Sequence, residues 1–241
     1  MENKELNMVF PSNSPAKKFP NNTSSNFTLP LPYLMETPLE EHWKIGIVQL
    51  FLPLTFYNIE SNFKISVFLH DGVTKIIDMM EGIYTDPLVL ENMILKKQKG
   101  SSDFKISWQN GFSISLSENT KKIVLSKKLS HILGLPIEIS KSTSSSVEQF
   151  DPWVNQKVIF IHCSLLYETQ VNQQSYKILQ SVVTNKINFG DTFSKNCLPI
   201  DFKEIQGDVH KNISFKITDM EGDLMKFRSG SVVLVCSFRK N

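Results

Sequence analysis

The chain has 241 residues, 41% of them hydrophobic and 21% charged, with a net charge of +2. That length holds one large β-sandwich or two small domains, and the composition supports a packed core rather than disorder. So small a net charge gives no electrostatic case for nucleic acid or an acidic membrane as the main partner.

Residues 1–25 carry Pro11, Pro15 and Pro20 among clustered Asn and Ser, which predicts an extended arm, mobile unless docked. Phe27–Leu31 is the first predicted strand. Trp43–Leu52 alternates loosely and then turns solidly apolar, as a strand buried on both faces would, with Pro53 at its end or at a bulge. Phe63, Ile65, Val67 and Leu69 share one face of the next strand, and Asp71-Gly72 is a strong hairpin turn into Lys75–Met79. Asp86–Lys99 is the best helix. Asp86 is its N-cap, Pro87 suits the first turn, lysines crowd the last turn, and Leu90, Ile94 and Leu95 make the buried face.

Asn110-Gly111 joins Phe104–Trp108 to Phe112–Leu116, and Ile123–Leu125 follows as a strand. Ser126–Gly134 predicts a short helix, Ser140–Ser146 a polar loop. The last third is β again: Val158–Leu166, Lys177–Val183, Lys186–Phe189, Ile213–Ile217 and Leu224–Phe227. It closes on Val232–Phe238, where Val232, Leu234, Cys236 and Phe238 share a face. About ten to twelve short strands with antiparallel turns, and no strand–helix alternation, predict an all-β jelly-roll sandwich with two short helices in inserted loops. The expected division is an arm at 1–25 and a single domain over 26–241.

The residues offer little chemistry. Cys163, Cys197 and Cys236 show no CxxC spacing, so buried free thiols and a reducing compartment during folding are expected. Sequons at Asn21, Asn22, Asn26 and Asn212 carry little weight, because the first residues lack the apolar core of a signal peptide. The apolar runs fall far short of the roughly 20 residues of a spanning helix. His42, His70, His131, His162 and His210 are scattered, with no metal-ligand spacing, so no cofactor is expected. His162 and Cys163 are neighbours on one strand and point to opposite faces, which rules out a direct nucleophile–base pair. Asp219, Glu221 and Asp223 around Gly222 invite a calcium reading, but lack a twelfth-position glutamate; a hairpin turn explains them better. Lys17-Lys18 lies on the arm and could meet an acidic partner or, weakly, nucleic acid. Trp43 and Trp108 read as core. Trp153 reads as a core lid or an interface anchor.

With these residues laid out, the chain resembles a capsid-type protein of Polinton (Maverick) elements and their adintovirus relatives. The resemblance runs through Phe10-Pro-Ser-Asn-Ser and Phe19-Pro-Asn-Asn-Thr. It continues in His42-Trp-Lys-Ile-Gly-Ile-Val-Gln-Leu with Pro53-Leu-Thr-Phe-Tyr-Asn-Ile, similar to the family's W-E-V-G-L-x-E-I and Y-P-x-T-W-Y-N-I. Glu81-Gly-Ile-Tyr-Thr-Asp, Leu125–Leu135, Val158–Leu166 with Lys177-Ile-Leu-Gln, Ile213–Gly222 and Val232–Arg239 follow in order. Lys44, Gln49 and Phe56 depart from the family pattern.

The resemblance implies a penton-like minor capsid protein, a single jelly roll forming homopentamers at the vertices of an icosahedral shell. Its neighbours would be major capsid proteins of the double-jelly-roll type, and its location the virion, assembled in nucleus or cytoplasm. The candidate partner-binding residues are Phe10, Lys17, Lys18 and Phe19 on the arm and Trp153 in its loop. Two other classes stay open: a carbohydrate- or receptor-binding jelly roll, using Trp153 and the Ser140–Ser146 loop, and a cupin-like enzyme, which the histidine spacing does not support.

Overall fold

The computed structural model of the chain describes residues 5–14, 17–36, 42–98, 103–140, 143–146, 149–171, 174–184, 188–207 and 209–240. The side chains of 32–36, Thr143, Val171 and Gln174 are not described. The expected strand at Lys186–Phe189 begins outside these residues.

In chain order the elements are β1 (Glu5–Pro11), β2 (Asn26–Glu36), β3 (Trp43–Pro53), β4 (Lys64–Leu69), β5 (Thr74–Asp78) and α1 (Pro87–Lys97). Then come β6 (Phe104–Trp108), β7 (Phe112–Leu116), β8 (Thr120–Leu125), α2 (Lys127–Leu133), β9 (Glu138–Ile139), β10 (Thr143–Ser145) and a 3-10 turn at Val154–Gln156. The last are β11 (Val158–Cys163), β12 (Thr169–Val171), β13 (Gln174–Tyr176), β14 (Ile178–Val183), β15 (Thr192–Asn196), β16 (Lys203–Glu204), β17 (Val209–Thr218) and β18 (Val233–Lys240). The chain folds into two compact units, one from Met1–Phe56 and Lys157–Asn241, the other from Tyr57–Gln156. The residues expected as one domain over 26–241 are divided between them, and β1 falls within 1–25.

The first unit is the jelly roll. One sheet runs β1-β18-β3-β15, with β16 also on β3, and the other runs β14-β11-β17-β2, all antiparallel. Early strands thus lie beside late ones in both sheets, which is the eight-stranded double Greek key of a jelly roll. Period-two alternation builds the space between the sheets. Phe27, Leu29 and Leu31 of β2, Ile213, Phe215 and Ile217 of β17, and Leu234, Cys236 and Phe238 of β18, with Val232 just before it, are all buried.

β3 differs from the expectation of a strand buried on both faces. Ile45 and Ile47 point inward, and so do Leu50 and Leu52, while Val48, Gln49 and Phe51 are half-buried. The parity switches because the ladder to β18 passes from Cys236↔Ile47 to Val235↔Gln49 and leaves Val48 as the extra residue of a β-bulge. The Val48 carbonyl still accepts a bond from the Cys197 amide at 2.9 Å. Gly46 is required there: a Cβ would collide with Ile200 and crowd the Asp201 carbonyl.

The second unit sits in sequence between β3 and β11 and holds both helices. It has a β5-β4-β8-β9 sheet, a β10-β7-β6 sheet, and its own core, including Phe63, Ile65, Leu90, Ile94, Phe112 and Leu129. Asp86 caps α1 by accepting from the Leu88 amide at 2.8 Å, and Pro87 opens the helix. Leu90, Met93 and Ile94 form its buried face; Leu95, expected to join them, is exposed. α2 ends on Gly134 at φ +67, the left-handed conformation that glycine adopts without strain. Ser126 makes no side-chain cap bond there, and its hydroxyl instead accepts from the Lys64 amide at 3.3 Å. Part of the expected 140–146 loop is β10, paired with β7.

Asn58 is completely buried in this unit and is satisfied by one partner. Its Nδ2 donates to the Tyr84 carbonyl and its Oδ1 accepts from the Tyr84 amide, both at 2.9 Å. Beside them, Ile59 and Gly82 exchange two backbone hydrogen bonds.

Candidate functional site

Of the five residues expected to bind partners, Phe10, Lys17, Lys18 and Phe19 belong to the first unit and Trp153 to the second. Phe10 is 3% exposed, with its ring 5.3 Å from that of Phe215 and 6.3 Å from that of Phe238. It is a core residue of the jelly roll, because β1 pairs with β18 along its whole length and alternation turns Met8 and Phe10 inward. The signal was present in the sequence as Met8 and Phe10 two residues apart, but it is short and ends at a proline.

Lys17 and Lys18 are exposed, and the Lys18 ammonium lies 5.7 Å from the centre of the half-buried Phe19 ring. The segment following them is held in place. The Asn22 side chain pairs with both the amide and the carbonyl of Thr28 at 2.9 Å, and Ser24 Oγ donates to the Gly230 carbonyl at 2.7 Å. Upstream, Ser12 and Val232 exchange hydrogen bonds of 2.8 and 2.9 Å. These bonds fasten the residues around Lys17–Phe19 to the jelly roll on both sides. Trp153 belongs to the second unit. It is half-buried in the turn before β11, and its amide donates to Asp151 Oδ1 at 3.0 Å.

The Asp219 turn is built as a turn. Asp219 Oδ1 accepts from the Glu221 and Asp223 amides at 2.9 and 3.1 Å, and Gly222 takes φ +88. Among the described residues, no group of three His, Cys, Asp or Glu is placed to hold a metal ion, and no helix is long and apolar enough to cross a membrane. Cys163, Cys197 and Cys236 are all free and buried. Burial pushes the Cys163 thiol up to about 12 and raises those of Cys236 and Cys197, so none is an activated nucleophile.

His162 turns away from Cys163, as alternation requires, onto the outer face of the β14-β11-β17-β2 sheet. There it lines a cavity of about 400 Å³ with Ser164, Tyr176, Lys177, Ser214, Lys216 and Thr218. Its Nε2 is 2.9 Å from Thr218 Oγ1, its ring centre is 5.8 Å from that of Tyr176, and it stands opposite Lys216 in the β11–β17 ladder. Burial, and then the Lys216 charge, hold the imidazole below its ordinary value. This cluster was not legible in the sequence, since it draws on three strands separated by loops.

No protein-family model matches the sequence, and no curated protein matches it significantly. A crystal structure of the mavirus penton protein is similar in structure, with a TM-score of 0.50 at 10% sequence identity, over 100% of this chain and 99% of that one. That coverage, together with the strand order of both sheets, shows that the chain has a penton-like all-β jelly-roll fold.

Proposed function

We propose that this chain is a structural virion protein, a penton-like minor capsid subunit that forms homopentamers at the vertices of an icosahedral shell. The observation that carries this reading is the end-to-end likeness to a penton protein, which takes in both compact units rather than the jelly roll alone. A second support is the ordered run of Polinton- and adintovirus-like segments. Two of them, ending at Asn58-Ile59 and containing Gly82–Tyr84, meet through four hydrogen bonds.

The mechanism is assembly rather than catalysis. Head-to-tail contacts between identical subunits close into a ring when the rotation is one-fifth of a turn. The partners are then further copies of this chain and a double-jelly-roll major capsid protein around each vertex. Exposed Lys17 and Lys18 with half-buried Phe19 offer a basic and aromatic surface for one such contact, or for weak contact with packaged nucleic acid, and Trp153 offers a second. Co-expression with a double-jelly-roll major capsid protein tests the assignment. Antibody-labelled particles are expected to carry this chain at their vertices. Particles that form without it, while it stays soluble, would count against the reading.

A further inference from the structure

We propose that the cavity on the outer face of the β14-β11-β17-β2 sheet, lined by Lys216 and His162, binds a sugar-sized organic acid through its carboxylate. Among the described residues its lining contains two lysines, an imidazole, the hydroxyls of Ser164, Ser175, Tyr176, Ser214 and Thr218, and no Asp or Glu. A volume of about 400 Å³ is far larger than an inorganic anion needs and lies in the range of small-molecule sites.

The described charges on this wall are cationic. Lys216 faces His162 across the β11–β17 ladder, and its ammonium makes no hydrogen bond or ion pair among the described residues. Lys177 is only weakly engaged, donating to the Ser164 carbonyl and to Gln206 Oε1 at 3.3 Å. Burial and Lys216 favour the neutral His162 ring, so the charge of this wall is that of the two lysines, and a carboxylate bound beside Lys216 is attracted by it. The neighbouring acidic turn does not supply this carboxylate through Asp219, whose Oδ1 accepts two amides of its own turn; that turn touches the cavity at Gly222.

The rest of the wall suits a polyol. The hydroxyls come from Ser164, just after β11, and from β13 and β17, and the half-buried Tyr176 ring gives an aromatic face against which a pyranose can lie. Several hydroxyls are already oriented by the fold: Ser164 Oγ accepts from the Ser214 amide at 2.9 Å, and Ser214 Oγ lies 2.8 Å from Thr28 Oγ1. That pre-organisation lowers the cost of fixing a ligand.

The test is isothermal titration of the full chain with glucuronate, galacturonate, N-acetylneuraminate, glucose and inorganic sulfate at constant ionic strength. At least one sugar acid is expected to bind at a single site with Kd below about 10 mM. Glucose and sulfate are expected to bind at least tenfold more weakly. Lys216 is exposed, so Lys216→Gln should fold normally, and it should weaken the acid at least tenfold while Lys216→Arg retains it. The His162 imidazole resonances should shift on saturation. The proposal is overturned by any of four results: no sugar acid binding, sulfate or glucose binding equally well, Lys216→Gln binding unchanged, or saturation that leaves His162 unshifted.

Discussion

The rings of Phe10 in β1 and Phe215 in β17 lie 5.3 Å apart, and this contact ties the first strand of one sheet to the penultimate strand of the other. Phe215 in turn sits 5.4 Å from Phe27, so three aromatic rings from the N-terminal and C-terminal parts of the chain pack together in the jelly-roll core. The N-terminal strand is therefore part of the fold's closure. Truncating Phe10 to Ala should cost about 3–5 kcal/mol, the usual range for emptying a buried phenylalanine site. Urea denaturation of the isolated protein measures it, and a loss below about 1 kcal/mol would mean that β1 does not contribute to the core.

Asn58→Ala removes both hydrogen bonds to Tyr84 and leaves the backbone amide and carbonyl of half-buried Tyr84 without these partners. The expected cost is about 2–4 kcal/mol, reflecting desolvated groups more than lost attraction. Asn58→Asp should also destabilise, because the Tyr84 carbonyl then faces a carboxylate oxygen instead of an amide donor. Thermal melts of the two variants beside the parent chain check this.

The thiols should be silent in the folded state. Cys163, at about 12, and Cys236, raised well above the ordinary range, are both buried in the jelly-roll core, and Cys197 is raised by burial as well. A thiol-reactive dye at about pH 8 should label almost none of the three under native conditions and all three in denaturant. Rapid native labelling of Cys236 would contradict its burial.

His162 makes stability depend on pH with a definite sign. Its folded-state value is depressed by burial and by Lys216, so the unfolded chain takes up a proton more readily than the native one. Stability contributed by neutral His162 is complete above the unfolded value of about 6.5 and falls as pH drops below it. The parent chain should lose more melting temperature between about pH 7.5 and 5.5 than His162→Gln does. An equal loss in both would remove His162 as the source.

Much of this architecture was written locally. β4, α1, α2 and β18 follow from alternation, capping and turn residues within a few positions, and Asp71-Gly72, Asn110-Gly111 and Gly222 all mark turns in the structure. What the sequence left open is non-local. β1 pairs with β18 and β2 with β17 across almost the whole chain, and no periodicity specifies such partners. The parity change at Val48 is likewise invisible in β3 alone, because the bulge exists only relative to β18. The outer-face cavity had one visible clue, the opposite orientations of His162 and Cys163. Its partners Tyr176 and Lys216 are brought alongside by strand pairing and a hairpin rather than by spacing. Phe10 lies in the Pro-, Asn- and Ser-rich stretch that reads as a docking arm, and its side chain is buried in the jelly roll of its own chain.

The proposed function requires that this jelly roll assemble five at a time. Native mass spectrometry of the purified full chain measures that directly. The expected result is a species of five times the 27.6 kDa subunit mass. A single-subunit mass that persists at high concentration and in the presence of a double-jelly-roll major capsid protein would contradict it.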